Sequence, residues 1–538
     1  MEENNGNFLD SKTVLAIALV AVVFFGWQSY LSHKYPNMNK PAVAAAATTT
    51  TLAPTGLSVG KDTVNSIKPG SDIALQNPEK ILTFQSDNLG FEISSRGMAV
   101  QKIELKKYFD RDHKTIILSA DNEASSFGTG VLGDPVGLDF SIERNGESSF
   151  LGTATTSQGV RITKLIEVDA SRFVIKSKIA VENLQIGFPG ISVAIGERRS
   201  KVVASSFLMP PADIQEATVK FAGKEERVVL SSNADPISHK FDSASVVAIG
   251  NHYFAAGIVD KSEITPDILV SSNAAQDHVF ATLNYKLPTQ KEKVEITQIG
   301  YIGPKSLKLL QDADKEFEIL INYGMFASIA RVLLGIMKWF YSILGNWGFS
   351  IVCLTLLVRL FVLPFNMASY KSMKKMQKIQ PLLQTIRERY KDDPQAMNKE
   401  TMSLMKEQKV NPLGGCLPML LQMPIFFALY QVFGQSIELY QAPFIFWIKD
   451  LSLKDPFYVL PVLMMIAMFL QQKLTPTTMD PAQAKIMQWL PLVFGMMMVA
   501  LPSGLTLYIF ISTIFGVVQQ QVFIKDRKTS VIAQEAKA

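Results

Sequence analysis

Apolar runs set the terms for this chain. One lies near its start, TVLAIALVAVVFFGWQSYL (13–31), and five more crowd the last third, at roughly 347–366, 413–434, 456–472, 486–501 and 504–523. At ~1.5 Å per residue, helices of this length suit the ~30 Å hydrocarbon layer of a bilayer. Only a helix or a closed barrel satisfies its backbone there. Pro418, Pro424, Pro461, Pro491 and Pro502 sit within or beside the later runs, which membrane helices tolerate better than soluble ones.

The first run reads as an uncleaved anchor (1–31). A cleaved signal would want a basic start and small residues after its apolar core; here Glu2, Glu3 and Asp10 oppose Lys12, and GWQSY follows. The Ala/Thr/Pro-rich stretch PAVAAAATTTTLAPTG (41–56) has too little varied apolar surface to pack, so residues 32–72 read as a tether.

From 73 to 324 the texture changes. Short alternating segments such as KTIILS, GVRITKLIEV, RFVIKSKIAV, PDILVSS, HVFATLNYKL and EKVEITQI are separated by turn residues. Alternation suits half-buried strands, and their number and spacing favour an antiparallel sandwich. GYIGPKS (300–306) lacks the Gly-Lys-Ser/Thr core of a phosphate loop and reads as a turn closing the domain. The fold class expected is therefore a membrane α-helical bundle of six spans plus an extracytoplasmic, mainly-β sandwich.

Charge and cysteine content exclude other classes. A net charge of +5 over 538 residues gives no concentrated basic face, so DNA is not an expected partner. The two cysteines, Cys353 and Cys416, lie in the apolar half with no metal-site spacing and read as small buried hydrophobes. No metal and no cofactor is expected.

Residues 325–346 carry Arg331 and Lys338 seven apart, on one helical face, among apolar neighbours. This predicts an amphipathic helix in the membrane interface with its basic face toward headgroups; a true span is the rival. Residues 369–412 predict two helices joined at KDDP, Asp393 capping the second and Pro394 opening it. The first is basic (Lys371, Lys374, Lys375, Lys378, Arg387, Arg389), as is KDRK in the 524–538 tail. Both should be cytoplasmic. With six spans, both termini lie inside and the large domain outside, which in a bacterium means inner membrane and periplasm. The acidic N-terminus does not itself orient the first span, but large translocated domains largely escape the charge rule.

CLTLLVRLFVLPF (353–365) poses the sharpest question, because Arg359 sits where its neighbours ask for hydrocarbon. An arginine at mid-span costs ~2.5–3.5 kcal/mol on insertion scales. It could snorkel, pair with a buried acid, or face water inside the bundle. The five C-terminal runs contain no Asp, Glu or His, which removes the second option. Snorkelling and a hydrated cavity remain, and the cavity is favoured because ionisable residues inside membranes default to function. Polar residues that could line it are Thr355, Gln422, Gln431, Gln488, Ser503, Thr506, Tyr508, Ser512 and Thr513, each weak evidence alone. An unpaired cation in a wet pocket would attract acidic or polar chain segments. Methionines stud the same regions (Met367, Met373, Met376, Met397, Met402, Met405), suiting varied apolar partners as well as ordinary core filling.

GNWGFSI (345–351), the span with Thr355 and Arg359, KVNPLGGCLPMLLQMPIFFALY (409–430), QAPFIFWIKDLSLKDPFYVLP (441–461) and LPSGLTLYIFIS (501–512) are similar to the YidC/Oxa membrane insertase family. The likeness covers nearly all of 325–525, and the anchor with its long β-rich domain resembles the gram-negative bacterial branch. The resemblance implies a five-helix core (347–523, hairpin included) with a hydrophilic groove open to cytoplasm and lipid. It implies that Arg359 is the groove arginine, with Thr355, Tyr508 and Gln422 as groove residues and Met423 and Phe426 as apolar substrate contacts. Relatives carry two successive tyrosines in the last span; here Ile509 follows Tyr508. Partners implied are nascent membrane proteins, the lipid bilayer and Sec translocon components, with a ribosome less supported by the modestly basic tail. The implied activity is insertion and folding of membrane proteins, a chaperone role without catalysis. A solute transporter would show an inverted repeat, and none is legible. A membrane-anchored enzyme would show convergent carboxylates or a nucleophile with its base. A passive scaffold would differ only in being inactive alone.

Overall fold

The computed structural model describes residues 78–110, 112–119, 124–134, 138–200, 214–230, 236–273, 275, 277–288, 292–408, 410, 417–474 and 481–535. The anchor (1–31), the tether (32–72) and Cys416 lie outside the described residues. The chain divides into two compact units, the first ending at Ile321 and the second resuming at Asn322.

The first unit is a sandwich of two nine-stranded antiparallel sheets. One is centred on Val174–Glu182, Lys293–Pro304 and Phe254–Asp260; the other on Ile191–Arg198 and His278–Tyr285. Side chains alternate across a strand with a period of two, so each inner face collects every second residue. In Arg161–Asp169 the inward set is Ile162, Lys164, Ile166 and Val168, and all four are buried. In Lys293–Pro304 it begins with Val294 and Ile296, paired with Val181 and Ile179 of the neighbouring strand.

Residues 300–304 correct the expected turn: they complete the Lys293–Pro304 strand. Gly300 belongs there for lack of space, since a Cβ would run into the Phe127 ring and the Ile175 carbonyl. The glycines of GYIG therefore mark close packing inside the sandwich.

Polar clusters interrupt this apolar interior, among them those of Lys164 and Asp260. Lys164 is fully buried, and its Nζ donates to the carbonyls of Met98 (3.0 Å) and Phe127 and to Thr129 Oγ1 (3.0 Å). Burial disfavours the ammonium and pushes its pKa down to about 7. In the second cluster Gln298 Nε2 donates to Tyr285 Oη (2.8 Å), which donates to Asp260 Oδ1 (2.7 Å). Burial raises the pKa of both Asp260 and Tyr285.

The second unit is helical. Helix α1 (Leu307–Ala313) still belongs to the first unit; α2 (Ala327–Leu344), α3 (Trp347–Arg389), α4 (Pro394–Glu407), α5 (Leu417–Gln435), α6 (Val459–Leu474), α7 (Pro481–Met498) and α8 (Ser503–Glu535) follow. By length and composition Gly324–Leu344, Trp347–Arg389 and Ser503–Val522 can cross a membrane; Val459–Leu474 is apolar but shorter. Helix α3 packs against α2, α5 and α8, and α8 against α6, while α7 lies on α6.

Helix α3 runs unbroken from the Arg359 span into the basic segment, through Pro364 and Pro381. The hairpin forms between its far end and α4. Asp393 Oδ1 caps α4, accepting from Gln395 N (3.1 Å) and Ala396 N (3.0 Å), with Pro394 in the first turn. Ile379, Leu383 and Val410 make the hairpin's small core, packed by Met376, Leu404 and Met405. Two of the hairpin methionines thus fill its core, whereas Met402 stays exposed.

Helix α2 differs from expectation in one contact. Its Lys338 Nζ pairs with Glu438 Oε1, after α5, at 2.7 Å, so a protein carboxylate takes the place of a headgroup phosphate for that cation.

Candidate functional site

Arg359 lies on α3 between buried Val358 and exposed Leu360, half-buried itself. Its Nε donates to Ser512 Oγ of α8 at 2.6 Å. Among the described residues no carboxylate pairs with it and its two terminal nitrogens carry no hydrogen bond, while the Tyr508 and Tyr370 side chains lie near enough to interact with its charge. A guanidinium offers five donors, and among the described residues one of them is used.

Ser512 sits one turn beyond Tyr508, whose hydroxyl accepts from Gln422 Nε2 of α5 at 2.5 Å. Gln422, Tyr508, Ser512 and Arg359 thereby form a polar thread across three helices that are otherwise apolar at this level. Tyr508 is buried, with its ring near Phe433, and so acts from the interior of the thread.

Seven residues farther along both α3 and α8 the pattern repeats, Asn366 Nδ2 reaching Gln519 Oε1 at 3.5 Å. Residues i and i+7 share a helical face, so two parallel helices in fixed register place polar partners on successive rungs. That spacing, Arg359 to Asn366 and Ser512 to Gln519, was available in the sequence and would have found the second rung.

The remaining candidates fall elsewhere. Thr355 is buried, and its hydroxyl donates to the Ile351 carbonyl at 2.6 Å, within its own helix. Thr506 and Thr513 likewise bond one turn back, to Pro502 and Ile509. Gln431 accepts from Gln435, whose own carbonyl oxygen receives Asn322 N; both hold the entry to α2. Ser503 bonds Leu453. The side chain of Gln488 lies outside the described residues. Met423 and Phe426 are half-buried on α5, on the turn carrying Gln422, with Phe426 edge-on to Phe427. Among the described residues no group of three or more His, Cys, Asp or Glu could hold a metal.

Comparison with known proteins fits this division. A family model described as the YidC periplasmic domain matches residues 81–336, and one described as 60Kd inner membrane protein matches residues 339–530. A membrane protein insertase YidC of Geobacter metallireducens is 30% identical over 98% of this chain and 100% of its own length. The chain belongs to the YidC family. Another member, from Geobacter sp. strain M21, is 35% identical over 82% of this chain and 85% of its own. A solved YidC insertase with its first transmembrane domain resolved aligns at 18% identity and TM-score 0.37, covering 83% of this chain and 93% of that one. Family membership accounts for both units, the periplasmic sandwich and the membrane-spanning helices.

Proposed function

We propose that this chain is a membrane protein insertase of the bacterial inner membrane, working through a groove in which Arg359 is the attracting charge. The observation that carries the reading is the state of that arginine among the described residues: held by one hydroxyl, facing no carboxylate, with no hydrogen bond at its terminal nitrogens. A cation that reached such a site only for stability would be wrapped in acceptors or ion-paired.

A client's short polar or acidic segment enters from the cytoplasm and meets the guanidinium, with Gln422, Tyr508 and Thr355 around it. Water in the groove lowers the cost of desolvating that segment. Its apolar segment passes along Met423 and Phe426 into lipid, where burial releases roughly 25 cal/mol per Å². The hairpin of α3 and α4 receives the client, α2 lies in the interface, both termini face the cytoplasm, and six spans carry the whole. The chain works alone or beside the Sec translocon, and no nucleotide is consumed.

The test is reconstitution of the purified chain alone into liposomes with a single-span client bearing an acidic tail, scored by protease protection of that tail. Protection above protein-free liposomes supports autonomous insertion. Protection no greater than in protein-free liposomes rejects it and leaves a scaffold.

A further inference from the structure

The segment joining α5 to α6 is built to a degree that connecting it does not require. It is pinned to the first turns of two apolar helices. Asn346 Nδ2, at the start of α3, donates to the carbonyls of Pro443 (3.3 Å) and Phe444 (3.2 Å). Gly348 leaves room for the Phe444 ring, which occupies the space a Cβ would need. At the start of α8, Ser503 N and Oγ both donate to the Leu453 carbonyl at 2.6 Å, and Gly504 N to that of Leu451 at 2.9 Å.

Two carboxylates organise the interior of the segment. Buried Asp455 accepts from Trp447 Nε1 (3.0 Å), Phe457 N (3.0 Å) and Leu460 N (2.7 Å), tying the indole to the entry of α6. Asp450 accepts from Gln441 N and from Ser452 N and Oγ.

What this framework displays is apolar. Phe446 is 82% exposed and Phe457 68% exposed. Phe446 sits at the tip of a tight turn closed by Phe444 N to Ile448 O (2.9 Å), in left-handed backbone at φ +53°. Tyr458, beside Phe457, has φ +58°. Bulky L residues rarely adopt that conformation, so the turn is held against its local preference while presenting a phenyl ring outward. Exposed Lys449 and Lys454 flank the rings.

The partner follows from position. Trp347–Arg389 and Ser503–Val522, long and apolar enough to cross a membrane, begin where this segment is pinned, which would set its tips level with the bilayer boundary. Aromatic rings with lysines beside them are the composition of that boundary, the rings entering the acyl edge and the ammonium groups meeting phosphates. We infer that Phe446 and Phe457 insert into the lipid leaflet at which α3 and α8 begin, making the α5–α6 segment a rigid depth anchor for the bundle. The inference rests on α3 and α8 crossing the membrane and is independent of the part given to Arg359.

The test uses the full chain with Cys353→Ala and Cys416→Ala, carrying Phe446→Cys or Phe457→Cys labelled with an environment-sensitive fluorophore and reconstituted into liposomes. Glu147→Cys, on an exposed turn of the β unit, is the aqueous reference. The expected result is strong quenching of both tips by lipids carrying a spin label high on the acyl chain, weaker quenching by a deep label, and several-fold less quenching by iodide than at the reference. Iodide quenching equal to the reference would place the tips in water and overturn the inference. Protection from both lipid and aqueous quenchers would mean that protein covers them, and would overturn it equally. Labelling at exposed rings leaves Trp447 and Asp455 intact, and preserved client insertion would show that each labelled chain is folded.

Discussion

Lys164 and Arg359 are both basic side chains among apolar residues, with no carboxylate paired to either among the described residues, yet their surroundings differ in kind. Lys164 faces three acceptors, two carbonyls and a hydroxyl, matching the three N–H bonds of an ammonium. Arg359 has five donors and one hydroxyl acceptor among the described residues. The first is fully partnered and closed off, a cross-link between two sheets. The second is held by one edge, and no described residue takes the rest of its donors. Counting acceptors against donors among the described residues therefore distinguishes a closed-off basic side chain from the one proposed to meet clients.

Substitutions at the two sites should break in different ways. The largest effect is expected from Arg359→Glu, which turns attraction into repulsion: insertion of acidic-tailed clients should fall to the level of protein-free liposomes while the β unit keeps its hydrogen-exchange protection. Unimpaired insertion would remove the attraction idea. Lys164→Met should do the reverse. Three acceptors lose their donor, partly offset by relief from burying a cation, for a net loss of about 2 kcal/mol. Amides of 161–169 should exchange faster, and insertion at low temperature should continue.

The pH dependence sharpens the contrast. Burial holds Lys164 near 7 against an ordinary 10.5. Between those values the unfolded chain binds the proton and the folded chain does not, so stability of the β unit rises with pH across that window. It approaches about 1.4 kcal/mol per pH unit in mid-window. Below pH 7 both states hold the proton and this contribution is flat. Exchange protection of 161–169 measured from pH 6 to 9, corrected for intrinsic rates, should show that rise, and Lys164→Met should abolish it. Smaller effects belong to the thread. Ser512→Ala removes the acceptor of Arg359 Nε and should lower insertion by roughly tenfold or less. Tyr508→Phe removes the link to Gln422, worth about 1 kcal/mol, and should cost less than Ser512→Ala.

The sandwich was legible because alternation is a direct record of the pleat, and HVFATLNYKL and EKVEITQI became strands as read. The same rule held the answer for Lys164, which shares the inward phase of Ile162, Ile166 and Val168. A lysine in that phase is explained only by the acceptors of the opposite sheet. GYIGPKS misled because glycine signals turns more often than crowding, and the Phe127 ring that crowds Gly300 comes from a strand far away in sequence. Arg359 stood out because no acid could answer it within the apolar runs. Its neighbours were less legible: Ser512 was one polar residue among nine, and Thr355 and Gln431 turn out to bond locally. Contacts between helices depend on rotation and register, which hydropathy does not encode.

One measurement bears most directly on the claim that Arg359 is a free charge meant for clients. Insertion into liposomes would be scored for one single-span client whose tail carries an increasing number of aspartates, with the unaltered chain and with Arg359→Gln. The unaltered chain is expected to insert the acidic tails, and Arg359→Gln to lose them progressively while still inserting the neutral tail. Equal insertion by both proteins across the series would contradict that claim and return Arg359 to the role of a snorkelling residue.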